Sequence, residues 1–116
     1  MVDLNNLKKY GIDVEEVERK FKNDIDFYIK SIKEFPEDKN FEKMQIYINN
    51  NDYKSAYEHA KILKRIVGTL HFYSFYNNLR TITDLLRPCE PVNTTEALLS
   101  LKADYENILK AISLVG

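Results

Sequence analysis

Apolar residues recur at spacings of three and four along most of this chain, the period of helices laid on a core. Residues 3–10 read as a short lead-in helix that Gly11 ends. Asp13 is predicted to cap the next helix, with Glu16 completing a capping box, and Val14, Val17 and Phe21 share its inner face. Asn23 is predicted to cap a helix that carries Ile25, Tyr28, Ile29, Ile32 and Phe35. Pro36 should break it, because proline removes a backbone donor and clashes with the preceding turn. A segment from about 38 to 50 then carries Phe41, Met44, Tyr47 and Ile48.

The NNND run at 49–52 reads as a turn, with Asp52 as an N-cap. The following helix places Ala56, Ala60, Leu63, Val67 and Leu70 inward, at spacings of four, three, four and three. Ser74 is expected to open another helix, with Phe75, Leu79, Ile82 and Leu86 inward and Phe72 and Tyr76 beside them. RPCEPVN at 87–93 is a loop. Asn93 and Glu96 form a second predicted capping box, before a helix with Leu98, Leu101, Tyr105, Ile108, Ile112 and Val115 on one seam. Long amphipathic segments with short links favour antiparallel neighbours. The expected fold is all-α: an up-down-up-down four-helix bundle with short N-terminal helices as a lid, forming a single domain over residues 1–116.

Composition narrows the function classes. Three glycines, three prolines and few alternating runs point away from a β fold. Apolar residues make up 44% and charged residues 30%, an ordinary globular balance. The net charge of −1 weighs against a nucleic-acid partner, since phosphate contacts demand a basic surplus. A single cysteine, Cys89, excludes an internal disulfide and follows Pro88 in a loop, which marks it as an incidental thiol. MVDLNNLKKYG lacks the apolar core of a signal peptide, and no apolar run reaches membrane length. The expectation is a cytoplasmic protein without membrane attachment. No His, Cys or carboxylate spacing suits a metal, and Glu15, Glu16 and Glu18 belong to a solvated face. No cofactor is expected. A monomer is expected too, and the tyrosines permit a dimer without requiring it.

With the apolar positions of residues 52–71 turned inward, Lys54, Lys61, Lys64, Arg65 and Gly68 fall on one outer stripe. Glycine in mid-helix costs up to about 1 kcal/mol relative to alanine. It is tolerated where a neighbouring helix or a partner approaches closely. The stripe reads either as a solvated lysine face or as a docking surface for an acidic partner.

AKILKRIVGTL, residues 60–70, resembles the motif of histidine-containing phosphotransfer (HPt) domains, approximately Ala-His-x-Leu-Lys-Gly, small residues, then Leu-Gly. Ala60, Leu63, Lys64, Gly68 and Leu70 match it. GIDVEEVERKFKNDIDFYIKSIKEF, residues 11–35, resembles the family's opening helices, and DYENILKAI, 104–112, its last. The resemblance implies a four-helix bundle that shuttles a phosphoryl group between an exposed histidine and an aspartate of a receiver domain. It implies that Lys64 attracts the phosphoryl group and that Gly68 lets the receiver approach. The chain departs from the pattern at three positions: Lys61 replaces the histidine, Arg65 the following glycine and His71 the terminal glycine.

Histidine serves such relays because its neutral imidazole is available near pH 7. An exposed lysine is neutral in only about one molecule in two thousand at that pH, and its ammonium form has no lone pair. No efficient phosphotransfer through this position is expected. His59 lies about 200° round the helix from Lys61, in line with Ala56, Leu63 and Ile66 at the core edge, and His71 lies near the helix end. The expected function is a degenerate HPt-like module. It binds a receiver domain of a response regulator or hybrid kinase through Lys61, Lys64, Arg65 and Gly68, without accepting phosphate. Two alternatives stand beside it. One is an active relay with His59 as phosphoacceptor. The other is a helical interaction module unrelated to phosphorelay, for which Tyr10, Tyr53, Tyr57, Tyr73 and Phe72 are candidate surface residues.

Overall fold

The computed structural model describes residues 4–115; Asp3, where the sequence begins the lead-in helix, lies outside them. A 3₁₀ helix, Leu4–Tyr10, is followed by six α-helices: α1 (Val14–Lys20), α2 (Ile25–Glu34), α3 (Asn40–Asn49), α4 (Tyr53–Thr69), α5 (Tyr73–Leu86) and α6 (Thr95–Val115). The fold is all-helical and compact. α4 is its centre, packed against α3 on one side and α5 on the other, while α6 packs against α5, α2 and the 3₁₀ helix.

Burial follows the helical period. Ala56, Ala60, Leu63 and Val67 of α4 are fully buried, as are Leu79, Ile82 and Leu86 of α5. One apolar cluster runs from Leu4 to Val115. Removing such side chains from water stabilises the fold by about 25 cal/mol per Å² of apolar surface. Phe35, Phe41, Phe75 and Tyr105 add tilted and edge-on ring contacts, with centroids 4.9 to 6.4 Å apart. Between α5 and α6, the Asn78 amide donates to the half-buried carboxylate of Asp104 at 2.5 Å. Burial raises the pKa of Asp104, and the Asn78 hydrogen bond only partly opposes this.

Several local expectations are refined. Asp13 caps α1 by accepting the Glu16 amide at 3.3 Å, but the reciprocal half of the box is not made. The Glu16 carboxylate instead takes two hydrogen bonds from Arg19, and the Asp13 amide donates to the His71 carbonyl at 3.0 Å. The cap of α2 is Asp24, not Asn23: its carboxylate accepts the Phe27 amide. Pro36 ends α2 as expected, in a 3₁₀ turn over Phe35–Glu37. Asp52 caps α4 through the Ser55 amide, a bond that lowers its pKa. α5 begins one residue before Ser74, and its N-cap, Phe72, makes no side-chain capping bond. At α6, Asn93 accepts the amide of Thr95, two residues on, so that helix starts later than a box at Asn93 implies. Phe72 is fully buried, which removes it from any surface patch.

One junction holds the N-terminal segment to the α4–α5 corner. Ile12 and Phe72 form an isolated antiparallel bridge. It is flanked by Asp13 N–H to His71 O at 3.0 Å and Ser74 N–H to Gly11 O at 3.2 Å. The chain turns into this bridge at Gly11, where φ is +86°. Among the described residues, no helix is long and apolar enough to cross a membrane, and no cluster of metal-ligating side chains is present.

Candidate functional site

The outer stripe of α4 divides into two environments. Lys61 is half-exposed. Its ammonium lies 3.6 Å from Glu58, one turn back, and 4.6 Å from the centroid of the Tyr57 ring. Exposed pairs of this kind contribute about 0.2–1 kcal/mol, so Lys61 is tethered loosely rather than locked. The hydroxyl of Tyr57 also interacts with Arg87 at the end of α5, and Arg87 pairs with Asp84 at 2.8 Å. Charges at this end of the stripe are therefore partly matched.

The other end is different. Lys64, Arg65 and Gly68 line a cleft of about 540 Å³ together with Lys20 of α1, His71 of the α4–α5 corner, and Tyr73 and Tyr76 of α5. Gly68 and Tyr76 at one end, and Tyr57 and Arg87 at the other, show that α4 and α5 run antiparallel. Gly68 has a structural occupant: a β-carbon at this position would lie 3.2 and 3.3 Å from two carbons of the Tyr76 ring. The close approach that glycine permits is that of α5, and Tyr76 fills the space assigned to a partner. Gly68→Ala should therefore gain up to about 1 kcal/mol of helix propensity and lose a similar amount by pushing the half-exposed Tyr76 ring toward the cleft. Chemical denaturation should find stability within about 1 kcal/mol of the parent, with displaced Tyr76 ring resonances. Unmoved resonances would show that the ring is not held against this glycine.

His71 occupies the left-handed region at φ +60°, the position where the HPt motif carries glycine. A non-glycine residue there costs about 1–2 kcal/mol. The side chain packs edge-on against Phe21, with centroids 6.3 Å apart. Its pKa lies below the ordinary histidine value, chiefly through burial and next through the charge of Lys20.

His59 faces away from the stripe, toward α3. Its ring stacks on Tyr47 at 5.3 Å, and Nδ1 lies 2.8 Å from Asn40 Oδ1. The amide nitrogen of Asn40 donates to the Asp38 carboxylate at 3.0 Å. A carboxylate only accepts, so the amide is oriented with its oxygen toward His59. Nδ1 then carries the proton, and the lone pair of the neutral ring is on Nε2.

Arg65 stands between this cleft and a second cavity of about 690 Å³ bounded by α2, the 3₁₀ turn and α4, where Glu34, Glu37 and Asp38 line the wall. Those carboxylates disfavour an acidic visitor, whereas the first cleft favours one. Sequence reasoning found Lys61, Lys64, Arg65 and Gly68, but it did not join Lys20, His71 or Tyr76 to them. The structure brings Lys64, Arg65 and Gly68 to the cleft, and Lys61 is not among its lining residues. No protein-family model, curated protein or solved structure matches this chain.

Proposed function

We propose that the chain is an HPt-like docking module that binds a receiver domain of a response regulator or hybrid kinase without accepting phosphate. In this reading α3 to α6, each packed on the next, form the up-down-up-down four-helix bundle, and the 3₁₀ helix, α1 and α2 flank it. One observation carries the proposal. The outward side of α4 presents Lys64 and Arg65, which have no ion-pair partner among the described residues, while the helix's own imidazole is turned away and bonded to α3. Receiver active sites are acidic. Unpaired cations on a rigid helix steer and hold such a surface, and their effect falls with salt. Lys61 supports the rim as a cation in place of a nucleophile.

The test is titration of receiver domains with the parent chain, with Lys61→Glu and with the double variant Lys64→Glu/Arg65→Glu. The double variant should bind at least about tenfold more weakly, a loss near 1.4 kcal/mol, and Lys61→Glu should lose less. Receiver binding that is indifferent to all three substitutions would exclude this face.

The tautomer of His59 supports a second reading, an active relay. A lone pair on Nε2 is what a phosphoacceptor requires, and the Asn40 bond supplies it. Incubation with a phosphorylated receiver should then place acid-labile phosphate on His59. A chain that stays unlabelled with receivers it binds rules this relay out.

A further inference from the structure

The cleft between α1 and the α4–α5 corner adds Lys20 to the two cations, Lys64 and Arg65, that the docking face presents. Lys20, Lys64 and Arg65 all line it, and none has an ion-pair partner among the described residues. One carboxylate, Asp13, lines the cleft beside these three cations, and Glu16 nearby is paired with Arg19. The Glu16 carboxylate is taken by Arg19 at 2.8 and 3.1 Å, and Asp13 spends one oxygen on the Glu16 amide. Burial and next the charge of Lys20 lower the pKa of His71, while Glu16 and Asp13 oppose the shift. The walls differ in kind from the charged rim. Tyr73 is 60% exposed, and among the described residues neither Tyr73 nor Tyr76 packs on another aromatic ring. The volume, about 540 Å³, falls within the range of about 300–1,000 Å³ usual for small-ligand sites.

We propose that this cleft binds a small phosphate monoester, its phosphate held by Lys20, Lys64 and Arg65 and a planar organic group lying against Tyr73 and Tyr76. Three cations against the one carboxylate of Asp13 leave a surplus of positive charge that a dianion suits better than a monoanion does. Arginine offers paired donors to phosphate oxygens and lysine a mobile point charge. A ring added to the phosphate removes apolar surface from water against the two tyrosines. The site shares Lys64 and Arg65 with the face proposed for docking, but Lys20 on α1 belongs to the cleft alone, so Lys20→Ala tests the cleft separately from receiver binding.

The experiment is titration of the full chain at low salt with phenyl phosphate, inorganic phosphate and benzoate, followed by amide chemical shifts. Phenyl phosphate should saturate one site with a Kd of about 1 mM or below. Inorganic phosphate and benzoate should each bind at least about fivefold more weakly, a difference near 1 kcal/mol. Lys20→Ala and Lys64→Ala should each weaken phenyl phosphate binding by a similar factor. Lys54→Ala, on the same helix but outside the cleft, should leave it unchanged. Thermal melts of each variant establish that it folds. The absence of saturable binding, or binding insensitive to Lys20→Ala in a folded variant, would overturn the site. Equal affinities for phenyl and inorganic phosphate would overturn the role given to the tyrosines.

Discussion

Gly11→Ala should cost this protein about 2–4 kcal/mol, one of the largest losses available from a single methyl group. Two effects add. The backbone at Gly11 has φ +86°, where an L-residue is strained by about 1–2 kcal/mol. A β-carbon there would also lie 2.7 Å from the hydroxyl oxygen and 2.8 Å from the β-carbon of Ser74. Ser74 cannot simply withdraw, because its amide donates to the Gly11 carbonyl at 3.2 Å and the bridge from Ile12 to Phe72 adjoins it. Relief therefore moves backbone, and backbone movement loosens Phe72, which is fully buried. With total stability on the order of 5–15 kcal/mol and roughly 4 °C per kcal/mol at this size, the melting temperature should fall by about 8–16 °C. Combining the change with Ser74→Gly separates the two effects. The collision is relieved and the strain remains, so the pair should be less destabilised than the sum by about 1 kcal/mol or more. A loss below about 1 kcal/mol for Gly11→Ala would mean that the N-terminal segment is only loosely attached to the α4–α5 corner.

That corner also marks where sequence reasoning stops. The inward positions of α4, from Ala56 to Val67, were legible because burial on a helix follows a period that neighbours cannot change. Caps were legible where one capping residue stood alone, as at Asp13 between Ile12 and Val14. They were not legible at Asn23 and Asp24, two adjacent residues of equal capping power. The choice there depends on how the chain leaves Phe21. The start of α5 was misplaced for a related reason. Ser74 has the better capping chemistry, but Phe72 is anchored in the core and bridged to Ile12, and that tertiary anchor sets where the helix begins.

The candidate site divides along the same line. Lys64, Arg65 and Gly68 are near neighbours on one helix, so their common face could be read from spacing. Lys20 comes from a different helix, and His71 from a left-handed corner that only the coordinates define. Gly68 was legible as a point of close approach, but not as the seat of Tyr76. The identity of the approaching group is a property of helix packing, which a single sequence does not encode locally. Lys61 was expected on the exposed outer stripe, with no pairing assigned to it. Its neighbours Glu58 and Tyr57 stand at i−3 and i−4, spacings that could have flagged this pairing in advance.

The second large effect is expected at Tyr28. Its side chain is fully buried, and its hydroxyl donates to the carbonyl of Leu70 at 2.6 Å, tying α2 to the end of α4. Leu70 caps that helix, where carbonyls lack intrahelical partners. Tyr28→Phe keeps the ring and its contact with Phe21 at 5.0 Å but deprives a buried acceptor of its donor, at a cost of about 1–3 kcal/mol. The pH dependence separates this bond from simple packing. Burial pushes the Tyr28 hydroxyl well above the ordinary tyrosine value, because a buried phenolate is poorly solvated. A group whose pKa is raised on folding contributes stability below its unfolded pKa, and this contribution is lost as pH rises through the folded value. The parent should therefore lose stability progressively above about pH 10, and Tyr28→Phe should lose correspondingly less across that range. Denaturation midpoints at pH 7 and at alkaline pH provide the check. A variant as stable as the parent at pH 7 would refute the Leu70 bond, and an unchanged alkaline slope would assign the alkaline loss to other groups.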